Sequence, residues 1–143
     1  MFKVRELVQF TIIGDKVLIE TILDKLEVEI RAIFQISLKH NKGVVKLVPG
    51  SGKGRCFCDT PLQTSIEVIK VRNLLKKLKA DFREDVVLFI EYDCICKLQK
   101  IINACEVDTL ASYSAEYNVM IYEVSCNETV MKALNTHAPS LDL

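Results

Sequence analysis

The cysteines of this 143-residue chain are its first candidates for a metal site. Six are present, and four of them form two C-x-C pairs, Cys56 with Cys58 and Cys94 with Cys96. Four thiolates can hold zinc or iron, but the usual knuckle spacing is C-x(2–4)-C. The second pair also falls in a helical pattern, where residues two apart point in different directions. We therefore predict buried, reduced thiols, with no metal and no cofactor.

A glycine-rich segment at residues 50–54 invites comparison with phosphate-binding loops. A Walker A loop has the pattern G-x-x-x-x-G-K-[ST], in which backbone N–H groups and the lysine hold phosphates. Here Leu47 occupies the first glycine position, and Gly54 follows the lysine in place of serine or threonine. We interpret the segment as a hairpin tip whose glycines permit positive φ, not as a nucleotide-hydrolysis site.

The remaining residues that could carry acid–base or nucleophilic chemistry are two histidines and some paired carboxylates. His40 and His137 have no cysteine or serine at a spacing typical of nucleophilic catalysis. Glu91 and Asp93 alternate at the end of a predicted strand, which is typical of a solvated strand end. We predict that the chain is not an enzyme.

The formal net charge is zero, but the charge is unevenly distributed along the chain. Residues 39–80 contain 10 basic and 2 acidic side chains, a net charge of +8, and residues 81–143 contain 4 basic and 11 acidic ones, a net charge of −7. Two explanations stay open. Either the basic segment contacts phosphates or an acidic partner, or the two segments compensate each other.

The hydrophobic pattern predicts the strands and helices on which these residues lie. Apolar residues recur at helical spacing after Asp15, a residue type that caps helices, and they alternate with polar ones over 30–39, as in a half-buried strand. Residues 65–71 are rich enough in β-branched side chains that a strand there is an alternative to helix. The first half is predicted to contain strands at 4–13, 30–39 and 44–48, a short strand at 55–58, and helices at 15–27 and 61–79.

The second half repeats this order of elements. It is predicted to contain a strand at 86–92, a helix at 94–105, a hairpin of 109–116 with 119–124, and a helix at 127–135. A shift of 79 residues without a gap aligns Phe10 with Phe89 and Ile19 with Leu98. A duplicated unit explains these matches, although two amphipathic stretches of the same kind also produce some of them by chance.

The repeated order predicts an α+β fold. We expect a single domain, residues 1–143, made of two pseudo-repeated β-α-β-β-(β)-α units at about 1–82 and 83–138, with a short tail at 139–143. Such units form a continuous antiparallel sheet with helices on one face.

The stretch from Val44 to Cys58, Val-Val-Lys-Leu-Val-Pro-Gly-Ser-Gly-Lys-Gly-Arg-Cys-Phe-Cys, followed by a basic helix, resembles the repeat of the TATA-box-binding proteins. That family also has two pseudo-symmetric repeats of about this length. Where it carries phenylalanines that wedge between bases, this chain has Ala32 and Pro49. The resemblance implies a non-enzymatic, transcription-linked module that binds nucleic acid, located in the nucleus of a eukaryote or otherwise in the cytoplasm.

The resemblance also implies roles for individual basic residues. Lys46, Lys53 and Arg55 correspond to positions that contact phosphates, which would make binding depend on salt rather than on base sequence. The helix at 61–79 lies away from DNA in that family, and its basic residues are expected to bind a protein partner. These residues are Lys70, Arg72, Lys76, Lys77 and Lys79.

A different function class fits the same order of elements. Tandem β-α-β-β-α units also occur in regulatory or assembly domains of the ferredoxin-like, ACT-like kind, which bind a small ligand or a protein partner, and a sliding-clamp-like half is a third reading. Fold alone does not decide among them. The sequence contains no apolar run of about 18 residues and no secretory signal at its start, so we expect no membrane span and an intracellular protein.

The cysteine analysis leads to a direct test. The purified protein should contain no stoichiometric zinc or iron, and its melting temperature should not change in a strong chelator, because no thiolate cluster holds the fold together. Elemental analysis and thermal unfolding with and without chelator measure this. One metal per chain, with unfolding on chelation, would contradict the prediction.

Overall fold

The computed structural model of the protein describes residues 2–50 and 65–141. These residues form an α+β structure with a sheet of six strands and four helices, so the predicted fold class is confirmed. In chain order the elements are β1 (Lys3–Asp15), α1 (Lys16–Lys25), β2 (Ile30–Leu38), β3 (Lys42–Pro49), α2 (Ile66–Lys77), β4 (Asp81–Glu91), α3 (Ile95–Ala104), β5 (Thr109–Glu116), β6 (Val119–Val124) and α4 (Asn127–Leu141). None of the helices in this part of the chain is long and apolar enough to cross a membrane.

The six strands are ordered β2-β3-β1-β4-β6-β5 in one sheet. Pairing is antiparallel between β1 and β3, β2 and β3, β4 and β6, and β5 and β6. Phe10 on β1 lies opposite Leu47 on β3, and Leu88 on β4 lies opposite Tyr122 on β6. The sheet is therefore the continuous antiparallel one that the repeated pattern predicts.

Local capping chemistry decides where the first two helices begin. Asp15 has an extended backbone, and its carboxylate accepts a hydrogen bond from the Leu18 N–H at 2.8 Å, as expected of the predicted N-cap. Ser65 caps α2 in the same way, its hydroxyl accepting from the Val68 N–H at 3.3 Å. α2 therefore begins at Ile66. The predicted start of this helix at residue 61 lies outside the described residues.

Further differences from the predicted elements concern α2, β4 and α4. The strand alternative for 65–71 is wrong, because Val68 and Val71 lie on one buried helical stripe, and this burial outweighs their low helix propensity. β4 begins at Asp81, five residues before the predicted strand. α4 continues to Leu141, through part of the predicted tail. The short strand predicted at 55–58 lies outside the described residues.

Contacts divide the chain into two compact units. The inserted unit is residues 8–85, and the flanking unit consists of residues 1–7 together with 86–143. The boundaries fall inside β1 and β4, so each of these two long strands contributes to both units.

The core of the inserted unit follows from the period-two pattern of its strands. Val8, Phe10 and Ile12 alternate along β1 and are buried on one face. The same face of β3 contributes Val45 and Leu47. Two helices cover these rows, through Ile19 and Ile22 of α1 and Val68, Val71 and Leu75 of α2. Both helices of this unit therefore pack on the same face of its strands.

The flanking unit has a core of the same design. Alternating residues of β4 and β6 pack against α3 and α4. The fully or nearly fully buried side chains in this cluster include Leu88, Ile90, Leu98, Ile102, Tyr122, Val130 and Leu134. Asn127, at the start of α4, donates through Nδ2 to the Val86 carbonyl oxygen at 3.0 Å and to Glu6 Oε2 at 3.1 Å. These bonds fix the start of α4 against β4 and β1.

The shift of 79 residues describes the helices of the two units well. α1 spans Lys16–Lys25 and α3 spans Ile95–Ala104, so both ends differ by 79 residues. The buried residues Ile19 and Ile22 of α1 correspond to the buried Leu98 and Ile101 of α3.

In the first strand of each unit, the same shift misaligns the buried residues by one position. Phe10 belongs to the core beneath the helices, whereas in β4 that core contains Leu88 and Ile90, and Phe89 between them points to the other face. The connections explain the difference. β1 leads directly into α1, but residues 92–94 separate β4 from α3.

Leu75 provides a test of this core. Leu75→Ala removes a fully buried side chain of α2 and leaves a cavity, so the free energy of unfolding should fall by about 2–5 kcal/mol. Lys76→Ala changes the exposed neighbouring residue and should alter stability by less than about 0.5 kcal/mol. Urea unfolding of both variants measures this. Equal, small effects would contradict the assignment of Leu75 to the core.

Candidate functional site

The junction of β1 and α1 brings the first helix very close to the β2–β3 hairpin. Gly14 and Gly43 lie opposite each other on β1 and β3, and the Lys16 N–H donates to the Asn41 carbonyl oxygen at 3.0 Å. A side chain at Gly43 would place its Cβ 3.1 Å from Ile19 Cδ1. A β-carbon at position 43 would therefore crowd α1, and glycine permits the close approach.

A groove of about 170 Å³ lies between α1 and the hairpin, and we call it the edge groove. Its lining residues are Lys16, Ile19, Glu20, Gln35, Ile36, Ser37, Gly43, Val44 and Val45. Lys16 and Glu20 are one helical turn apart and carry opposite charges, and Gln35 and Ser37 alternate along β2. The lining therefore combines apolar side chains with two opposite charges and two neutral polar side chains.

A second groove, of about 580 Å³, lies between the end of α1 and α2, and we call it the helix groove. Lys70, Asn73 and Lys77 line it from α2, where their spacing places them on one stripe. Asp24, Lys25, Leu26, Glu27, Val28 and Leu74 complete its lining. The groove therefore contains both positive and negative side chains.

The basic residues assigned to a protein partner are separated by the structure. Lys70 and Lys77 share the helix groove, whereas Lys76 and Lys79 are exposed but are not among the described residues that line it. Arg72 is held by Glu84, with Nε donating to Oε2 at 2.7 Å and Nη2 to Oε1 at 2.8 Å. A partner-binding role for these five residues stays a prediction.

Only one of the three residues assigned to phosphate contacts lies in the part of the chain that the structure describes. Lys46 lies on β3, and its ammonium group donates to Thr11 Oγ1 on β1 at 3.1 Å. Lys53 and Arg55 lie outside the described residues, as does the glycine-rich segment from residue 51 onward.

The prediction of buried cysteines is wrong for part of the described chain. Cys96 and Cys126 are exposed, and Cys94 and Cys105 are partly exposed. On α3 the buried stripe is formed by Leu98, Ile101 and Ile102, which leaves Cys96 on the solvent side. Burial raises the pKa of the Cys105 thiol. Residues 2–50 and 65–141 contain no cluster of three or more potential metal ligands.

Sequence reasoning missed the edge groove altogether. Its polar residues come from α1 and β2, which are neither the basic segment nor the cysteine pairs. The available signal was Gly43, two residues after Asn41 and near the start of β3, because a glycine in a strand can mark the close approach of another segment.

Comparison with known proteins gives a fold but no family. No protein-family model and no curated protein sequence matches the chain. Among solved structures, protein BT0572 from Bacteroides thetaiotaomicron is similar with a TM-score of 0.65 and 14% identity, over 94% of this chain and 90% of that one. The ligand-free regulatory subunit of aspartate kinase from Thermus thermophilus is similar with a TM-score of 0.56 and 9% identity, over 94% and 92%.

These likenesses correct the first functional interpretation. The chain has the fold of a regulatory subunit rather than that of the TATA-box-binding proteins, so the assignment to a DNA-binding, transcription-linked module is wrong. The sequence pattern misled because an apolar strand, a glycine-rich turn and a basic helix are local features. They do not specify the order in which strands pair.

The Arg72–Glu84 pair has a consequence for stability. Hydrogen bonding to Arg72 lowers the pKa of the Glu84 carboxyl, and Glu84 raises the pKa of Arg72. Because the pKa of Glu84 is lower in the folded state than its ordinary value of 4.5, the ionised carboxylate stabilises the fold at pH values above 4.5. This contribution is lost as the pH falls from 4.5 through the lowered pKa.

We expect Glu84→Gln to remove part of the pH dependence of unfolding. At pH 7 the variant should be less stable than wild type by about 1 kcal/mol, and the difference should shrink on acidification below about pH 4. Glu27→Gln, which removes an exposed carboxylate, should keep the wild-type pH profile. Urea unfolding across this pH range measures both. An unchanged profile in Glu84→Gln would contradict the stabilising role of the pair.

Proposed function

We propose that this chain is a non-catalytic regulatory domain that binds a small zwitterionic ligand, such as an amino acid, in the edge groove. The observation that carries the regulatory role is the fold, which follows a regulatory subunit of aspartate kinase over 94% of this chain and 92% of that one. The ligand class is argued from the groove itself.

The charges of the edge groove suit a molecule that carries both signs. The Lys16 ammonium can pair with a ligand carboxylate, and the Glu20 carboxylate, one turn further along α1, can pair with a ligand ammonium group. Gln35 and Ser37 offer neutral hydrogen-bonding groups from β2. Ile19 and Val45 supply apolar contact for a side chain.

The position of the groove makes a regulatory effect physically reasonable. Its walls come from α1, β2 and β3, so a bound ligand touches a helix and both strands of a hairpin at once. A ligand shifts an equilibrium only by its difference in affinity for two states. A ligand that contacts all three elements has a different affinity for two states of the domain when the spacing of the elements differs between those states.

A regulatory domain also needs a protein on which it acts. Lys76 of α2 and Lys79, which are exposed and are not among the described residues lining the mixed-charge helix groove, support an acidic protein surface as the partner. The free cysteines of the described chain fit the reducing interior of a cell.

Thermal unfolding with a panel of amino acids tests the ligand. A compound present at about 100 times its dissociation constant stabilises by about 2.7 kcal/mol, which raises the melting temperature by roughly 5–10 °C. We expect at least one zwitterion to do so with wild type. The double variant Lys16→Ala/Glu20→Ala should lose the ligand-induced shift.

A matched control exists in the flanking unit. Glu128 and Lys132 form an exposed ion pair of opposite charges with the same helical spacing, at 3.4 Å, outside the edge groove. The double variant Glu128→Ala/Lys132→Ala should keep the full shift. A panel without any stabilising zwitterion, or a shift that survives Lys16→Ala/Glu20→Ala, would contradict the proposal.

A further inference from the structure

The start of α3 carries two thiols. Cys94 is the N-cap residue of this helix, with an extended backbone of φ −135° and ψ 117°, and Cys96 is the second residue of the helix. Cys94 is partly exposed, and Cys96 is exposed. Residues two apart point in different directions within a helix, but Cys94 precedes the first helical residue. The divergence expected from the sequence therefore does not apply to this pair.

The N-cap position determines the surroundings of the Cys94 sulfur. An N-cap side chain reaches toward the N–H groups of the second and third residues of its helix, here Cys96 and Lys97. The N–H of Lys97 and then that of Cys96 lower the pKa of the Cys94 thiol, and the Lys97 ammonium and the Cys96 thiol lower it further. None of the described N–H groups of α3 forms a regular capping hydrogen bond with this sulfur, so they act as a helix N-terminus acts on a nearby anion.

The spacing of the two cysteines is compatible with a disulfide. Cα atoms two positions apart at the start of a helix are separated by roughly 5.5 Å. Disulfides usually join Cα atoms that are about 4.4–6.8 Å apart. The side chains of α3 that are buried in the core of the flanking unit are Leu98, Ile101 and Ile102, whereas Cys96 lies on the solvent side. A bond between the two sulfurs therefore closes without displacing a core side chain.

The other described thiols differ from this pair. Cys126 directly precedes α4 and is exposed, and the Thr129 hydroxyl, which donates to its sulfur at 3.2 Å, lowers the pKa of its thiol. The residues within two positions of Cys126 include no second cysteine. The Cys105 thiol donates to the Ile101 carbonyl oxygen at 3.1 Å, and burial raises its pKa. Of the four cysteines that the structure describes, only Cys94 combines an activated thiol with a second thiol two residues away.

We propose that Cys94 and Cys96 form a reversible redox site that reacts with hydroperoxides, with Cys94 as the attacking thiol and Cys96 as the resolving thiol. Such a site needs an accessible nucleophilic thiol and a second thiol within its reach. The pair at the start of α3 provides both. The site lies in the flanking unit and the edge groove lies in the inserted unit, so oxidation and ligand binding are tested separately.

The reaction balances in two steps. In the first, the Cys94 thiolate attacks one oxygen of the hydroperoxide, an S–O bond forms as the O–O bond breaks, and the departing alkoxide takes up a proton and leaves as the alcohol. In the second, the Cys96 sulfur attacks the sulfenic acid of Cys94, an S–S bond forms as the S–O bond breaks, and hydroxide leaves with the Cys96 proton as water. The two thiols lose two electrons and two protons, which reduce the hydroperoxide. A small thiol reverses the oxidation by thiol–disulfide exchange.

Peptide mapping of the full chain tests the site. Wild type is treated with a small excess of hydrogen peroxide, and its remaining thiols are blocked with N-ethylmaleimide. Trypsin then releases the peptide of residues 84–97, which contains Cys94 and Cys96 and no other cysteine. We expect this peptide to be lighter by two hydrogen atoms and to carry no maleimide. Treatment with dithiothreitol before blocking should restore both thiols.

Two serine variants separate the roles of the thiols. Cys94→Ser removes the attacking sulfur, so oxidation of the remaining thiol in this peptide should slow by more than about tenfold. Cys96→Ser keeps the attacking sulfur and removes the resolving one, so the sulfenic acid should accumulate at Cys94 and be trapped by dimedone. Dimedone should label wild type far less at that position, because the disulfide forms instead. Circular dichroism and thermal unfolding confirm that both variants are folded.

Cys126→Ser is the matched control, because it removes another thiol at a helix start, one without a second cysteine two residues away. It should leave the rate of disulfide formation between Cys94 and Cys96 within about twofold of wild type. A wild-type peptide that keeps both thiols, or a disulfide from either residue to a different cysteine, would overturn the proposal. Oxidation of Cys96 at the wild-type rate in Cys94→Ser, or a Cys96→Ser variant that dimedone does not label, would overturn it as well.

Discussion

Burial of one alternating row of β1 determines the arrangement of the inserted unit. Because Val8, Phe10 and Ile12 face the two helices, their antiparallel partners Leu47 and Val45 must face the helices as well. The residues that alternate with these on each strand then lie on the face of the sheet that points away from the helices. The exposed row of β2, the position of Lys46 and the narrow space between α1 and the hairpin all follow from this choice of face.

The basic segment of the chain does not act as one surface. Lys46 is hydrogen-bonded to Thr11 within the sheet, and Arg72 forms an ion pair with Glu84. Lys70 and Lys77 line a groove that also contains two carboxylates. At Arg72 the basic segment is compensated by the acidic one, as one of the two explanations of the charge pattern supposed. The net charge of a segment is a sum along the chain, whereas a binding surface depends on which charges the fold brings together.

The ligand site proposed here depends on backbone proximity more than on any unusual residue. Gly43 permits α1 to pack closely on the hairpin, and Lys16 and Glu20 of α1 line the edge groove together with residues of β2. None of these residues forms a motif along the chain.

The local elements could be predicted from the amino-acid sequence, because hydrophobic period and capping depend on neighbouring residues. Neighbouring residues were sufficient to predict the alternation in β1, the Asp15 cap, the hairpin of β5 with β6, and the equal spacing of α1 and α3. Four features became known only from the folded chain, namely which strands are neighbours, the one-residue difference between Phe10 and Phe89, the exposure of Cys96 and the edge groove. These features depend on connection geometry and on contacts between residues far apart in the chain, to which a local pattern is insensitive.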